Sequence, residues 1–275
     1  MPVLAHRLGP AHQGGVSGDH ELMRDVAEAG RFARLAALLD HDGGHWRSDE
    51  VPPLGHWLCF LPDARQGDLG ADGHPRREGA FPRRMWAGSR VRFLAPIPLG
   101  AAIERRTRTV KVEDKSGRSG AMQFVTLEHT VSVDGAAAVI EEQDLVYRAA
   151  AEPGVIAARA VTDPGEADMV TRQIVTDPAL LFRFSALTFN AHRIHYDRVY
   201  AHEVEGYAGL VVHGPLLATL LMDLALRERP GFTPSAFEFR ARAPLFDGEE
   251  ITLGMTGDTL RALGPAGVAV TASVQ

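Results

Sequence analysis

Cysteine is almost missing from this sequence. A single residue, Cys59, in a chain of 275 excludes an intramolecular disulfide framework and a cysteine-based metal cluster, and fits a reducing compartment. Long apolar runs are missing as well. No stretch approaches the roughly 18 consecutive apolar residues needed to cross a bilayer, so no membrane segment is expected. The opening residues, MPVLAHRLGPAHQGG, lack the cationic stretch and apolar run of a secretory signal. Nor is positive charge in excess. A net charge of −6 and an isoelectric point near 6.1 are wrong for a nucleic-acid-binding surface. The glycine-rich GDLGADG follows no strand pattern and opens no helical one, which excludes a dinucleotide-phosphate loop. The rest, 45% hydrophobic and 23% charged, is ordinary globular composition, long enough for one large domain or two of ordinary size. The expectation is a cytoplasmic protein that binds neither nucleic acid nor membrane.

The chain does contain a repeat. RFLAPIPLGAAI begins at Arg92 and RARAPLFDGEEI at Arg240, sharing R-x-x-A-P-(apolar)-x-x-G-x-x-I at an offset of 148 residues. A weaker echo, RFARLAAL from Arg31 and RFSALTFN from Arg183, recurs in the same order at an offset of 152. Two echoes in one order predict an internal duplication.

Each half opens on a helical pattern. HELMRDVAEAGRFARLAALLD has helical spacing at Leu22, Val26, Ala29, Ala33, Leu35 and Leu38, which predicts a helix over about 20–40. A shorter helix is expected over Pro178 to Leu187. In the first half, RVRFLAPI, AIERRTRTVKVEDK, AMQFVTLEHTVSV and AAVIEEQDLVYRA read as strands, with DKSGRSG as a hairpin turn. In the second half SAFEFRARAPLF, EEITLGMTGD and AGVAVTASV do. HGPLLATLLMDLALRERPG predicts a buried helix, with Pro215 in the first turn, an apolar stripe through Leu217, Leu220, Leu221 and Leu224, and Pro230-Gly231 as its stop. Residues 62–84 read as a long polar surface loop, of a kind often functional. The fold class is α+β, with an N-terminal domain over 1–150, a linker over 151–166 and a C-terminal domain over 167–275.

Between the two helices of the second half lies FSALTFNAHRIHYD, Phe184 to Asp197. Directly after core-type residues it packs an amide, two imidazoles, a guanidinium and a carboxylate: Asn190, His192, His195, Arg193 and Asp197. With GLVVHGPLLATLL, which brings His213 and Gly214, the order resembles the MaoC-like (R)-specific enoyl-thioester hydratases. Their motif runs S-G-D-x-N-P-(I/L)-H-x-D, with H-G-M about twenty residues later at the start of a central helix. Here His195 and Asp197 match. Asn190 stands at the motif aspartate, His192 at the asparagine and Arg193 at the proline. PPLGHWLCFLP, GADGHPRR and RRMWAG in the first half resemble a narrower subgroup, hydroxyacyl-thioester dehydratase type 2, which includes mesaconyl-C4-CoA hydratases. The resemblance implies a double hotdog: two antiparallel sheets wrapping a central helix and fused as a pseudo-dimer. The C-terminal unit would be catalytic and the N-terminal unit would supply part of the acyl pocket.

The chemistry so implied is reversible addition of water to a 2-enoyl thioester of coenzyme A or an acyl carrier. His195 suits proton transfer. Asn190 can hold the water but cannot be a base. Gly214 N–H, at a helix N-terminus, suits the thioester oxyanion. Without the motif aspartate, Asp197 and Glu205 are the nearest carboxylates that could assist. Arg193, Arg83 and Arg84, with Trp86, are candidates for binding a substrate carboxylate or the coenzyme A phosphates. His192 and His195 could pair on a metal with His202 or His213 as third ligand; no metal and no cofactor is expected, coenzyme A being part of the substrate. A homodimer of such chains is the expected assembly. A hotdog thioesterase and a non-catalytic acyl-thioester binder are left open by the same residues.

Overall fold

The computed structural model describes residues 21–76, 81–117, 120–150 and 168–275. The first half comprises β1 (Glu21–Val26), α1 (Ala29–Leu38), β2 (Arg83–Phe93), β3 (Ala102–Gly117), β4 (Gly120–Val133) and β5 (Ala136–Arg148). The second comprises β6 (Val170–Val175), α2 (Pro178–Leu187), α3 (Arg198–Glu203), α4 (Gly214–Glu228), β7 (Ala236–Ala241), β8 (Glu250–Thr256), β9 (Thr259–Gly264) and β10 (Gly267–Val274). The linker expected over 151–166 lies outside the described residues.

All the strands join one antiparallel sheet in the order β1-β3-β4-β5-β2-β7-β10-β9-β8-β6. The order is a palindrome: each half contributes the same five-strand arrangement, and the halves meet at β2 and β7. The repeat marks equivalent points. β2 and β7 end, and β3 and β8 begin, 148 residues apart. Gly100 and Gly248, at φ 81° and 79°, turn the chain identically between them. Ile103 and Ile251, the last matched residues, are both buried. The weaker echo falls on the equivalent helices α1 and α2, three residues out of step with their ends, which lie 149 apart. At the seam, Gly88 pairs with Arg240, and a Cβ there would stand 2.4 Å from the Phe239 carbonyl. Only glycine permits that approach.

Helix α4 sits against the sheet, with Leu216 through Leu226 buried. In the first half, two short 3-10 turns, Gly55–Leu58 and Gln66–Asp68, are the only helical elements described between α1 and β2, so the long central helix is not repeated. Asp223, buried on α4, accepts hydrogen bonds from Arg172 on β6, from Arg227, and from His45 of the first half at 2.8–2.9 Å. Buried charge is tolerated when paired in this way. A cavity of about 290 Å³ opens at the far end of the seam, lined by His45, Phe93, Ile97, Leu226, Phe232 and Pro234 among others. No helix among the described residues is long and apolar enough to cross a membrane.

Two expectations need correction. The helix expected over 20–40 is in fact strand β1 followed by α1. Residues 21–26 pair in register with 107–102 of β3, and Leu22 and Val26 are exposed. Their helical spacing was coincidental, and an edge of β3 needing a partner overrode it. The loop expected over 62–84 ends early, because Arg83 begins β2. Helix α2 spans Pro178–Leu187 as expected, capped by Asp177, whose side chain accepts from Leu180 N–H. Strands β6 and β9 went unrecognised.

Candidate active site

The site begins where α2 ends. Phe189 takes a left-handed φ of 48°; Asn190 N–H donates to Ser185 O and Phe189 N–H to Ala186 O. This is a Schellman cap with phenylalanine where glycine is usual. It turns the chain sharply and delivers Asn190, whose Oδ1 accepts from His192 N–H at 3.0 Å. A 3-10 turn over Arg193–His195 follows.

His195 is buried, and its Nδ1 lies 2.7 Å from the Val211 carbonyl. A carbonyl only accepts, so Nδ1 carries the proton and Nε2 is left with its lone pair. The ring stacks on His213 at 3.6 Å and 18°. His213 occupies the N-cap position of α4 without a side-chain cap bond, and its Nε2 lies 2.9 Å from Ser185 Oγ. Gly214 and Pro215 open the helix. Gly214 N–H has no intrahelical acceptor at that position, and the helix dipole favours negative charge there. Proton acceptor and anion donor thus stand side by side.

Burial sets the protonation of the cluster. It pushes His195 down to about 4 against the support of the Val211 carbonyl. It also pushes His192 and His213 well below the ordinary imidazole range, with nearby imidazoles adding to the effect. These rings are neutral at neutral pH, the state a general base requires.

The N-terminal half reaches into the same place. Arg193 N–H donates to Asp72 O at 2.8 Å, and Gly73, at φ 91°, passes so close to Ala191 O that a Cβ would lie 1.8 Å from it. His74 follows. Its Nδ1 lies 3.1 Å from Asp72 Oδ2, and its ring centroid lies 4.2 Å from that of His192, which is 5.4 Å from that of His195. Asp72, His74 and Ser185 escaped the sequence reading. The contact crosses 118 positions of chain between His74 and His192; the loop's polar, glycine-rich composition and the resemblance carried by GADGHPRR marked the segment without showing its partner.

The other candidates divide. Asp197 caps α3 by accepting from Tyr200 N–H and accepts from Arg193 Nε and Nη2. Arg193 also donates to Ala71 O and lies 4.1 Å over the Tyr200 ring. It clamps the loop of the first half, and its guanidinium is engaged rather than free. Arg83 pairs with Glu205 at 2.5 Å, and Glu205 also accepts from Tyr200. Both carboxylates considered as assistants to His195 are therefore occupied. Arg84 is exposed and makes no ion pair among the described residues; its charge helps depress His74 and His192. The Trp86 indole donates to Ser89 and packs on Trp57 and Phe239, while its carbonyl lies beside Gly214. His202 is half-buried and contacts Glu203.

Two groups bring three nitrogen or oxygen atoms within 4.8 Å of one another: Asp72, His74 and His192, and His41, His45 and Asp223. Arg83 and Arg84 act on His192 in the first, and Arg172 and Arg227 engage Asp223 in the second. These neighbouring cations oppose a metal, and His195 belongs to neither group.

The family model for hydroxyacyl-thioester dehydratase type 2 matches residues 52–247, which takes in both the loop of the first half and the histidines of the second. The chain is 46% identical to a mesaconyl-C(4)-CoA hydratase of Chloroflexus aurantiacus, over 91% of this chain and 92% of that protein. It is 25% identical to a mitochondrial hydroxyacyl-thioester dehydratase type 2 of Schizosaccharomyces pombe, over 74% and 77%. The fold is shared with HtdX of Mycobacterium tuberculosis (TM-score 0.66, 18% identity, 93% of this chain and 99% of that one). It is also shared with another M. tuberculosis protein described as a double hotdog (TM-score 0.57, 15% identity, 94% and 96%).

Proposed function

Since the chain belongs to the hydroxyacyl-thioester dehydratase type 2 family, we propose that it is a hydro-lyase adding water reversibly to a short 2-enoyl-CoA, with mesaconyl-C4-CoA as the preferred substrate. One observation carries the reading: a neutral His195, its Nε2 lone pair fixed by the Val211 carbonyl, stands against the start of α4. In the hydration direction, His195 Nε2 takes a proton from water as oxygen bonds the β-carbon. The double-bond electrons move onto the thioester oxygen, where Gly214 N–H receives the charge. The α-carbon then recovers the proton from His195. Coenzyme A arrives and leaves with the substrate, and no resident cofactor has a role.

The domain assignment follows. The C-terminal half supplies base and oxyanion donor; the N-terminal half supplies pocket wall and cation. The free carboxylate of a mesaconyl group needs a cation when it leaves water. Arg84 suits it better than Arg193 or Arg83, which Asp197 and Glu205 already neutralise.

The test follows enoyl absorbance and free thiol together, with crotonyl-CoA and mesaconyl-C4-CoA. Absorbance should fall without thiol release, faster for mesaconyl-C4-CoA. Thiol release would identify a thioesterase, and a crotonyl preference would refute the substrate assignment.

A further inference from the structure

The proposed hydration leaves a gap. A water attacking the β-carbon has two hydrogens. His195 Nε2 takes one, and the other needs an acceptor that holds the oxygen in line. The Asn190 carbonyl oxygen is already engaged by His192 N–H, and its amide N–H groups only donate. Asp197 and Glu205 are bound to Arg193 and Arg83.

The loop of the first half offers what is lacking. Asp72 grips His74 twice, through the backbone N–H at 3.0 Å and through Nδ1 at 3.1 Å. Because a carboxylate accepts, the Nδ1 contact holds the proton on that nitrogen and leaves Nε2 with its lone pair. His195 carries the same tautomer for a different reason. Two imidazoles, one from each half, therefore carry acceptor nitrogens, and each packs against the His192 ring. The approach is built in. Arg193 binds Asp72 O and Ala71 O, and Gly73 passes Ala191 at a distance no side chain would allow.

We propose that His74, oriented by Asp72, is a second catalytic residue: its Nε2 accepts the second hydrogen of the attacking water while His195 removes the first. The inference rests on the hydratase reading. The O–H bond to His195 breaks as the C–O bond forms. The hydrogen held by His74 stays on oxygen and becomes the hydroxyl hydrogen of the product, so His74 ends the step unchanged.

The experiment compares wild type, His74→Phe and His74→Gln on mesaconyl-C4-CoA, with thermal unfolding as a control for folding. Phenylalanine keeps the ring contact with His192 but has no acceptor; glutamine restores one through its carbonyl oxygen. His74→Phe should lose about 100-fold or more in kcat with KM within about threefold of wild type, and His74→Gln should recover at least about tenfold of that loss. Should His74→Phe not fold, the comparison passes to Asp72→Asn, which keeps the loop's main-chain contacts and should lower kcat by about tenfold. Wild-type kcat in a folded variant without the acceptor, or a loss confined to KM, overturns the inference alone. A wild-type protein that hydrates no enoyl thioester overturns the hydratase reading and this inference with it.

Discussion

Replacing His195 by glutamine should change how stability responds to acid. In the unfolded chain this imidazole titrates near 6.5, and in the folded protein burial holds it near 4. A base with a depressed folded value binds its proton more readily when unfolded, so folding stability is complete above pH 6.5 and is lost as pH falls toward 4. At ~1.4 kcal/mol per proton per pH unit, His195 withdraws about 3 kcal/mol across that window, a large part of the ~5–15 kcal/mol of a typical domain. Glutamine can still donate to the Val211 carbonyl but takes up no proton. Urea unfolding at steps from pH 7.5 to 5 should therefore give a shallower pH slope for His195→Gln, by roughly 1 kcal/mol per unit below pH 6. His192 and His213 contribute to both slopes and cancel. The same depression predicts that wild-type kcat/KM stays flat down to about pH 5. Parallel stability curves, or activity halved near pH 6.5, would refute the claim that His195 is held neutral by burial.

Gly88→Ala should force the seam apart, since the new Cβ would meet the Phe239 carbonyl at 2.4 Å; a loss of roughly 2–4 kcal/mol is expected in chemical unfolding. Phe189→Gly should stabilise. A side-chain-bearing residue in the left-handed region costs ~1–2 kcal/mol, partly offset by glycine's freedom in the unfolded chain. A net gain of about 1 kcal/mol would raise the thermal midpoint by about 2–4 °C.

Much of this arrangement was legible in the residues, for identifiable reasons. Helix α4 announced itself because its burial demands a mostly apolar sequence, broken only by Thr219 and Asp223 between Leu216 and Leu226, with Pro215 to open it. The duplication was visible because Gly100 and Gly248 occupy a turn that needs positive φ. His195 and Gly214 could be singled out because each lies in a short motif, FSALTFNAHRIHYD and GLVVHGPLLATLL, at a spacing the resemblance implies. The loop carrying Asp72 and His74 was seen as a polar loop whose GADGHPRR resembles the narrower subgroup, but not as part of the site, since its meaning lies in a contact with the other half. Arg193 was read as a candidate for a substrate carboxylate, and in the structure it engages Asp197 and the Tyr200 ring. Its partners Asp197 and Tyr200 are a helical turn or two away, but which charge a guanidinium meets is decided by folding. The helical period through Leu22 and Val26 misled because an edge strand can carry any spacing its exposed face tolerates.

The seam between β2 and β7 has a consequence for dilution. A site assembled from two separate chains disappears as they are diluted below their dissociation constant. Here the loop with Asp72 and His74 and the segment with Asn190 to His195 belong to one chain, so their meeting is unimolecular and independent of protein concentration. Fusion also lifts a constraint on change. In a two-fold homodimer every substitution appears at both sites at once. In this chain the two ends of the seam are free to diverge, and they have. One gathered the imidazoles around the start of α4, and the other became a largely apolar cavity lined by phenylalanine and proline.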